Sequence, residues 1–221
     1  MSSKATIEAL LGSAPPDLVA YFYAGHFRVR SESRINCLGL EAAATYTTAL
    51  VGVGLGSRLG LFALDDAEDS NPYCYISRGP CAGAVFHLCH DGACAIQFSS
   101  LSSFLTALDA LPKDQDIHFD LRPEADIVFD VVPAIEQLIS AEDADMDMMI
   151  PVYLPVARGL SSDLRSRLAT CSDFFVREAF AIWLRDFGTR EDLPLAQNLA
   201  SDSMSQVARP AQQAVARLRR P

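Results

Sequence analysis

Four short apolar runs, separated by turn-forming residues, constrain the fold of this chain more than any other feature of its sequence. The runs cover residues 59–64, 73–77, 84–89 and 93–98. Between the last two runs, Asp91-Gly92 is a strong hairpin signal, because both central residues of a type I′ turn need positive φ. Runs of this length joined by tight turns predict an antiparallel meander of about four strands.

Helical patterns flank these runs: residues 5–12 and a segment that opens at Pro15-Pro16 show apolar side chains at helical spacing. After the last run, Ser99-Ser100 caps a predicted helix. The apolar face of that helix is Leu101, Phe104, Leu105, Leu108 and Leu111. Residues 36–60 are rich in glycine, alanine and threonine. They show neither the alternation typical of a strand nor the apolar spacing typical of a helix. The pattern predicts an α+β domain over residues 1–113, with helices on one side of the sheet.

Residues 148–221 are predicted to form an all-helical C-terminal segment. Ser161-Ser162-Asp163 and Ser172-Asp173 have the composition of helix N-caps. One set of apolar residues recurs later at the same offsets, with Val176, Phe180, Trp183 and Phe187 matched by Val207, Ala211, Ala214 and Leu218. Two interpretations stay open: helical repeats, or ordinary bundle helices, because any amphipathic helix shows such offsets.

The negative charge of the chain is concentrated in residues 114–147, which we interpret as an acidic connecting segment. The formal net charge is −10, and this segment alone holds eleven acidic side chains and one basic one. Such a field attracts basic partners and repels nucleic acid and anionic membranes. The alternative is a solvated linker that keeps the protein soluble. Because Ile127, Phe129 and Val131 alternate with other residues, we expect part of the segment to pack as extended chain.

Several motifs in the first half of the chain carry a family resemblance. They are the acidic turn at 65–71, the run Gly83-Ala84-Val85-Phe86-His87-Leu88, His90-Asp91, the helix opening at 98–105 and the early Pro15-Pro16-Asp17-Leu18. Together they resemble the SUKH superfamily, the fold of yeast cell-wall-synthesis regulators and of many bacterial immunity proteins. The resemblance implies an α+β binding domain. The C-terminal helices resemble HEAT repeats, with Val176-Arg177 and Val207-Ala208-Arg209 near the usual Val-Arg position.

A cluster of sulfur and imidazole side chains is the best candidate for catalytic chemistry. It comprises Cys74, Cys81, Cys89, Cys94, His87 and His90. Zinc sites pair ligands at short spacings, whereas four residues separate Cys89 from Cys94 and six separate Cys74 from Cys81. Buried cysteines commonly act as small apolar residues. We therefore predict no bound metal, no cofactor and no catalytic activity, and a zinc- or thiol-dependent enzyme centred on Cys89 and His90 is the alternative.

The location of the protein is predicted from what interrupts its apolar segments. Glu8 breaks any apolar run near the N-terminus, so we expect no secretion signal. The longest apolar stretch, residues 49–55, is too short to span a bilayer. The six cysteines lie at irregular spacings, which favours reduced thiols in a cytoplasm over a disulfide framework.

These features predict a non-catalytic protein-binding module, with an immunity protein that neutralises a basic toxin, such as a nuclease, as the leading hypothesis. A general intracellular scaffold or adaptor stays open. The expected partner is a basic protein, and neither nucleic acid nor membrane. The candidate partner-binding residues are Asp65, Asp66, Glu68, Asp69, Asp114, Asp116, Asp120, Glu124, Asp126 and Asp130.

Overall fold

The computed structural model describes residues 3–25, 35–52, 54–66, 71–89, 94–111 and 121–220. The chain divides into two compact units, Met1–Val128 and Phe129–Pro221. This division differs from the predicted limits at residues 113 and 147, because the acidic connecting segment is shared between the two units. Within the ranges given above, no helix has both the length and the apolar character needed to span a bilayer.

The first unit contains a four-stranded antiparallel sheet whose strands lie side by side in chain order. The strands are β1 Leu61–Ala63, β2 Tyr73–Ile76, β3 Val85–His87 and β4 Ala95–Phe98. All four lie within the predicted apolar runs, so the predicted α+β class and meander are confirmed. The Asp91-Gly92 turn lies outside the described residues.

In the described part of this unit, five helices accompany the sheet: α1 Ser3–Leu11, α2 Pro16–Tyr23, α3 Leu40–Leu50, α4 Gly54–Leu59 and α5 Leu101–Asp109. Helices α3 and α4 lie within residues 36–60, the glycine-rich stretch whose sequence pattern predicted neither a helix nor a strand. A Cβ on Gly56 would lie 2.0 Å from the carbonyl oxygen of Leu50, so the close turn between α3 and α4 requires a glycine there.

The core of this unit lies between one face of the sheet and the helices. Register places Phe62, Tyr75, Val85 and Phe98 in one row across the four strands. This row packs in a single apolar cluster with Ile7 of α1, Leu18 of α2, Ala43 of α3 and Phe104 of α5. The side chains that alternate with this row, such as Cys74 and Phe86, are also fully buried. Burial on both faces explains why the strands read as continuous apolar runs.

The second unit is helical, as predicted for the C-terminal segment, and it begins earlier than residue 148. Its helices are α6 Val132–Ser140, α7 Met146–Tyr153, α8 Ser162–Ala169, α9 Phe174–Phe187, α10 Leu193–Leu199 and α11 Ser205–Leu218. Short 3₁₀ turns lie at Leu154–Val156 and Arg190–Asp192. Consecutive helices pair as three hairpins: α6 with α7, α8 with α9, and α10 with α11.

These three hairpins stack in two layers. Helices α6, α8 and α10 are neighbours in one layer, and α7, α9 and α11 are neighbours in the other. Helices α9 and α11 both have 14 residues and begin 31 residues apart, at positions 174 and 205. The buried residues Met149, Val152 and Val156 lie 31 residues before Phe180, Trp183 and Phe187. The spacing therefore recurs in the arrangement of the helices as well as in the sequence.

Ion pairs link the second hairpin to the third in both layers. Arg165 of α8 pairs with Asp192, which lies just before α10, and the Asp192 side chain is 2% exposed. Arg177 of α9 pairs with Asp202, just before α11, at 2.8 Å. Each aspartate also accepts backbone hydrogen bonds near the start of the next helix, from Thr189 and Met204 respectively. The same side chains thus position a helix start and join two hairpins.

Candidate functional site

The acidic residues predicted to contact a partner occupy several different environments. Five of them lie outside the described residues: Glu68, Asp69, Asp114, Asp116 and Asp120. The remaining five are Asp65, Asp66, Glu124, Asp126 and Asp130. Their positions separate carboxylates with a structural role from carboxylates that face solvent.

Asp65 has a structural role that its sequence context did not indicate. Its side chain accepts a hydrogen bond from the backbone N–H of Tyr73, and its backbone forms an isolated antiparallel bridge with Cys37. Only 1% of the residue is exposed, so Asp65 cannot contact a partner in this conformation. The prediction failed for this residue because the acidic turn follows β1 directly and its first carboxylate satisfies the start of β2. Asp66, the next residue, is half-buried.

Glu124 is exposed but already engaged within its own unit. Its carboxylate accepts hydrogen bonds from the backbone N–H of Ser99 at 2.7 Å and from the Ser99 hydroxyl at 3.0 Å. These bonds, led by the one from the backbone N–H, lower the pKa of Glu124. The Glu124 backbone N–H also donates to the carbonyl oxygen of Gln97 in β4, at 2.8 Å. Glu124 therefore occupies hydrogen-bonding positions along the outer edge of the sheet.

An open groove lies beside this contact, with a volume of about 530 Å³. Its lining residues are Phe98, Ser99, Ser100, Ser102, Ser103, Thr106, Ala107, Ala110, Arg122 and Glu124. The hydroxyls of Ser100 and Ser103 form a capping box at the start of α5. The groove can hydrogen-bond a polar group while its alanines contact apolar atoms. The sequence signal was the serine cluster 99–103, which we interpreted only as a cap.

The first hairpin of the second unit also carries solvent-facing carboxylates. Residues 129–157 hold six acidic side chains and no basic one. Asp130, Glu136 and Glu142, on α6 and its flanks, are exposed. The described part of this unit contains the ion pairs Arg165–Asp192, Arg177–Asp202 and Arg185–Asp186, and the three exposed carboxylates belong to none of them. Asp126, in the first unit, is also exposed, whereas Glu136 and Glu142 were not among the predicted contacts.

The cysteines of the predicted catalytic cluster differ in accessibility. Cys74 and Cys81 are buried, whereas Cys89 and Cys94 are half-buried. Burial raises the pKa of the Cys74 and Cys94 thiols, and it raises that of Cys81 to about 12. Thiols of this kind are mostly protonated near neutral pH and are therefore weak nucleophiles.

The two histidines of that cluster do not join the thiols in a described site. His90 lies outside the described ranges, and the His87 ring stacks on Tyr73 at 4.6 Å and lies 3.2 Å, through Nδ1, from the Gln97 amide. Among the residues with described positions, no three His, Cys, Asp or Glu side chains converge as metal ligands.

Comparisons of the chain with protein-family models, with curated proteins and with solved structures find no match.

Proposed function

We propose that the protein is a non-catalytic binding module for a basic protein, and that it acts in the cytoplasm as an immunity protein against a toxin of that charge. The observation that carries the proposal is the acidic first hairpin of the second unit. Its carboxylates at Asp130, Glu136 and Glu142 face solvent, in a stretch without basic side chains. A field of one sign steers an oppositely charged protein into contact and speeds association.

The stacked hairpins support a binding role on separate grounds. Arrays of helical hairpins present extended surfaces that bind other proteins. The sequence resemblances to SUKH proteins and to HEAT repeats point the same way. Toxic nucleases are basic because their substrate is a polyanion, so an inhibitor with exposed carboxylates suits them.

The raised pKa values of Cys74, Cys81 and Cys94 weigh against a nucleophile at those three thiols, whereas the alternative enzyme is centred on Cys89 and His90 and needs a direct test. Elemental analysis addresses its zinc-dependent form. About one zinc ion per purified chain, lost when Cys89 or Cys94 is replaced, would favour the enzyme over the binding module.

The functional test uses the toxic product of a gene adjacent to the one that encodes this chain. Co-expression of the two proteins should restore growth, and the purified pair should form a complex. No protection and no complex with such a toxin would contradict the immunity role. A complex without protection would support binding and refute neutralisation.

The contact surface is tested with a charge variant and a matched control. The triple variant Asp130→Asn, Glu136→Gln, Glu142→Gln should associate more slowly at low salt and show a smaller dependence of rate on salt. The control Glu8→Gln, Glu41→Gln, Glu191→Gln removes the same charge from exposed positions elsewhere. Equal association rates and salt slopes for both variants and the wild type would refute the acidic surface.

A further inference from the structure

Two half-buried cysteines flank the connection between β3 and β4. The last paired residues of these strands are His87 and Ala95, and Cys89 and Cys94 lie just beyond them. The Sγ atom of Cys94 lies 3.4 Å from the backbone nitrogen of Cys89 and 3.3 Å from its carbonyl oxygen. The sulfur of one cysteine therefore rests against the main chain of the other.

This placement brings the two thiols within reach of each other. A sulfur in contact with both the N and O atoms of a residue is close to the Cα atom of that residue, and the residue's own Sγ is two bonds from Cα. Disulfides join residues whose Cα atoms are about 4.4–6.8 Å apart. To form the bond, the Cys89 side chain must rotate until its Sγ reaches the Sγ of Cys94, with a small shift of the backbone at Cys89.

We propose that Cys89 and Cys94 are a redox modification site that forms a reversible disulfide when the protein meets a low-molecular-weight disulfide such as oxidised glutathione. At mildly alkaline pH, which raises the thiolate fraction, one cysteine thiolate attacks the small disulfide, forms a mixed disulfide and releases one small thiol. The second cysteine thiolate then attacks the mixed disulfide and releases the other small thiol. The protein loses two protons and two electrons, and the small disulfide is reduced to two thiols.

The other cysteines are less suited to this reaction. Cys37, Cys74 and Cys81 are buried at 1% exposure or less, so an oxidant in solution does not reach them. Cys74 lies close enough to Cys94 for a charge on one to raise the pKa of the other. It is the competing partner, although its Sγ is fully buried. Cys171 is half-buried like the proposed pair and serves as the control.

The bridge is tested on the native 221-residue chain, without a partner. The protein is equilibrated at mildly alkaline pH with mixtures of reduced and oxidised glutathione, free thiols are blocked with an alkylating agent, and the products are mapped by mass spectrometry. We expect a species lighter by two hydrogen atoms before alkylation, with a peptide cross-link between Cys89 and Cys94. Reduction should return the starting mass.

Single variants separate the bridge from other oxidation products. Cys94→Ser should leave Cys89 as a stable glutathione adduct, and Cys89→Ser should do the same for Cys94. Cys171→Ser should form the bridge as the wild type does. Glutathione adducts on both cysteines of the wild type without a cross-link, a Cys74–Cys94 cross-link, or resistance of both thiols to oxidation would each overturn the proposal. The wild-type map decides the question even if a variant does not fold.

Discussion

The carboxylate of Glu124 accepts a 2.7 Å hydrogen bond from the backbone N–H of Ser99, 25 residues earlier in the chain. The backbone N–H of Glu124 also donates to the carbonyl oxygen of Gln97 at the outer edge of β4, and the two contacts together hold the chain beside the start of α5. At the opposite edge, the hydroxyl of Thr47 accepts a hydrogen bond from the β1 backbone at Ala63. Each edge of the sheet is thus closed in part by a residue from outside it, Glu124 through its backbone N–H and Thr47 through its hydroxyl, and both satisfy backbone groups that would otherwise be free to pair with another chain.

The Glu124 contact predicts a pH-dependent contribution to stability. The folded-state pKa is lowered, chiefly by the hydrogen bond from the Ser99 backbone N–H. The contribution is therefore complete above the unfolded pKa of about 4.3 and is lost as pH falls through the folded pKa. We expect Glu124→Gln to cost less than about 1 kcal/mol at neutral pH, since the group is exposed, and to cost nothing in acid.

Thermal unfolding from neutral to acidic pH measures this difference. Asp126→Asn, at an exposed position with the same charge change, is the control and should not reproduce the pH dependence. A gap between Glu124→Gln and wild type that stays constant with pH would contradict the ionic origin of the contact.

Two neighbouring serines of one helix give a matched test of capping. The Ser100 hydroxyl accepts a hydrogen bond from the Ser103 backbone N–H as part of a capping box, whereas Ser102 is exposed within the first turn of α5. We expect Ser100→Ala to lower the free energy of unfolding by about 1 kcal/mol and Ser102→Ala to change it little. Chemical denaturation measures both, and equal effects would show that the cap does not stabilise α5.

The ion pair between Arg165 and Asp192 should matter far more than the pair between Arg185 and Asp186. Asp192 is buried and also accepts hydrogen bonds from the backbone N–H and the hydroxyl of Thr189, so Asp192→Ala removes several contacts at once and should cost about 2 kcal/mol. Arg185 and Asp186 are each 39% exposed, and Asp186→Ala should cost less than about 1 kcal/mol. Denaturant midpoints of the two variants provide the comparison, and similar losses would refute a special role for the buried Asp192.

The boundary between the two units predicts the behaviour of fragments. Residues 121–128 bury Leu121 in the core of the first unit and supply Glu124. We expect a fragment of residues 1–128 to unfold cooperatively and at a higher temperature than a fragment of residues 1–113. Calorimetry of the two fragments tests this, and identical transitions would place the true limit of the unit at residue 113.

Local sequence patterns identified the elements that bury large side chains in a regular period. The strands around Tyr73 and Val85 were predicted because a short apolar run between turn residues can form few structures other than a strand. The N-caps Ser161 and Asp173 were also predicted, since a capping residue acts on N–H groups two or three positions away. Both signals depend on neighbours within a few residues.

Elements stabilised by distant contacts were missed. Helix α3 buries Ala43 and Thr47, whose small side chains give little periodic signal in the sequence. The Thr47 hydroxyl accepts a hydrogen bond from the edge strand β1. Helix α6 was hidden among acidic residues, because it buries only Ile135 completely. The role of Asp65 depends on a backbone group in a following strand, and the role of Glu124 on one 25 residues away. Such pairings form only in the tertiary structure, and the local periodicity of the sequence does not indicate them.

The 31-residue interval between α9 and α11 makes the helical unit extensible in whole steps. Because each hairpin packs mainly on its immediate neighbours, duplication of one hairpin adds an interface of a kind already present within the helical unit. A lineage can therefore change the reach of this surface by gene duplication, without inventing a new core. A protein engineer can add one 31-residue period by copying residues 174–204, which contain α9 and α10, in register.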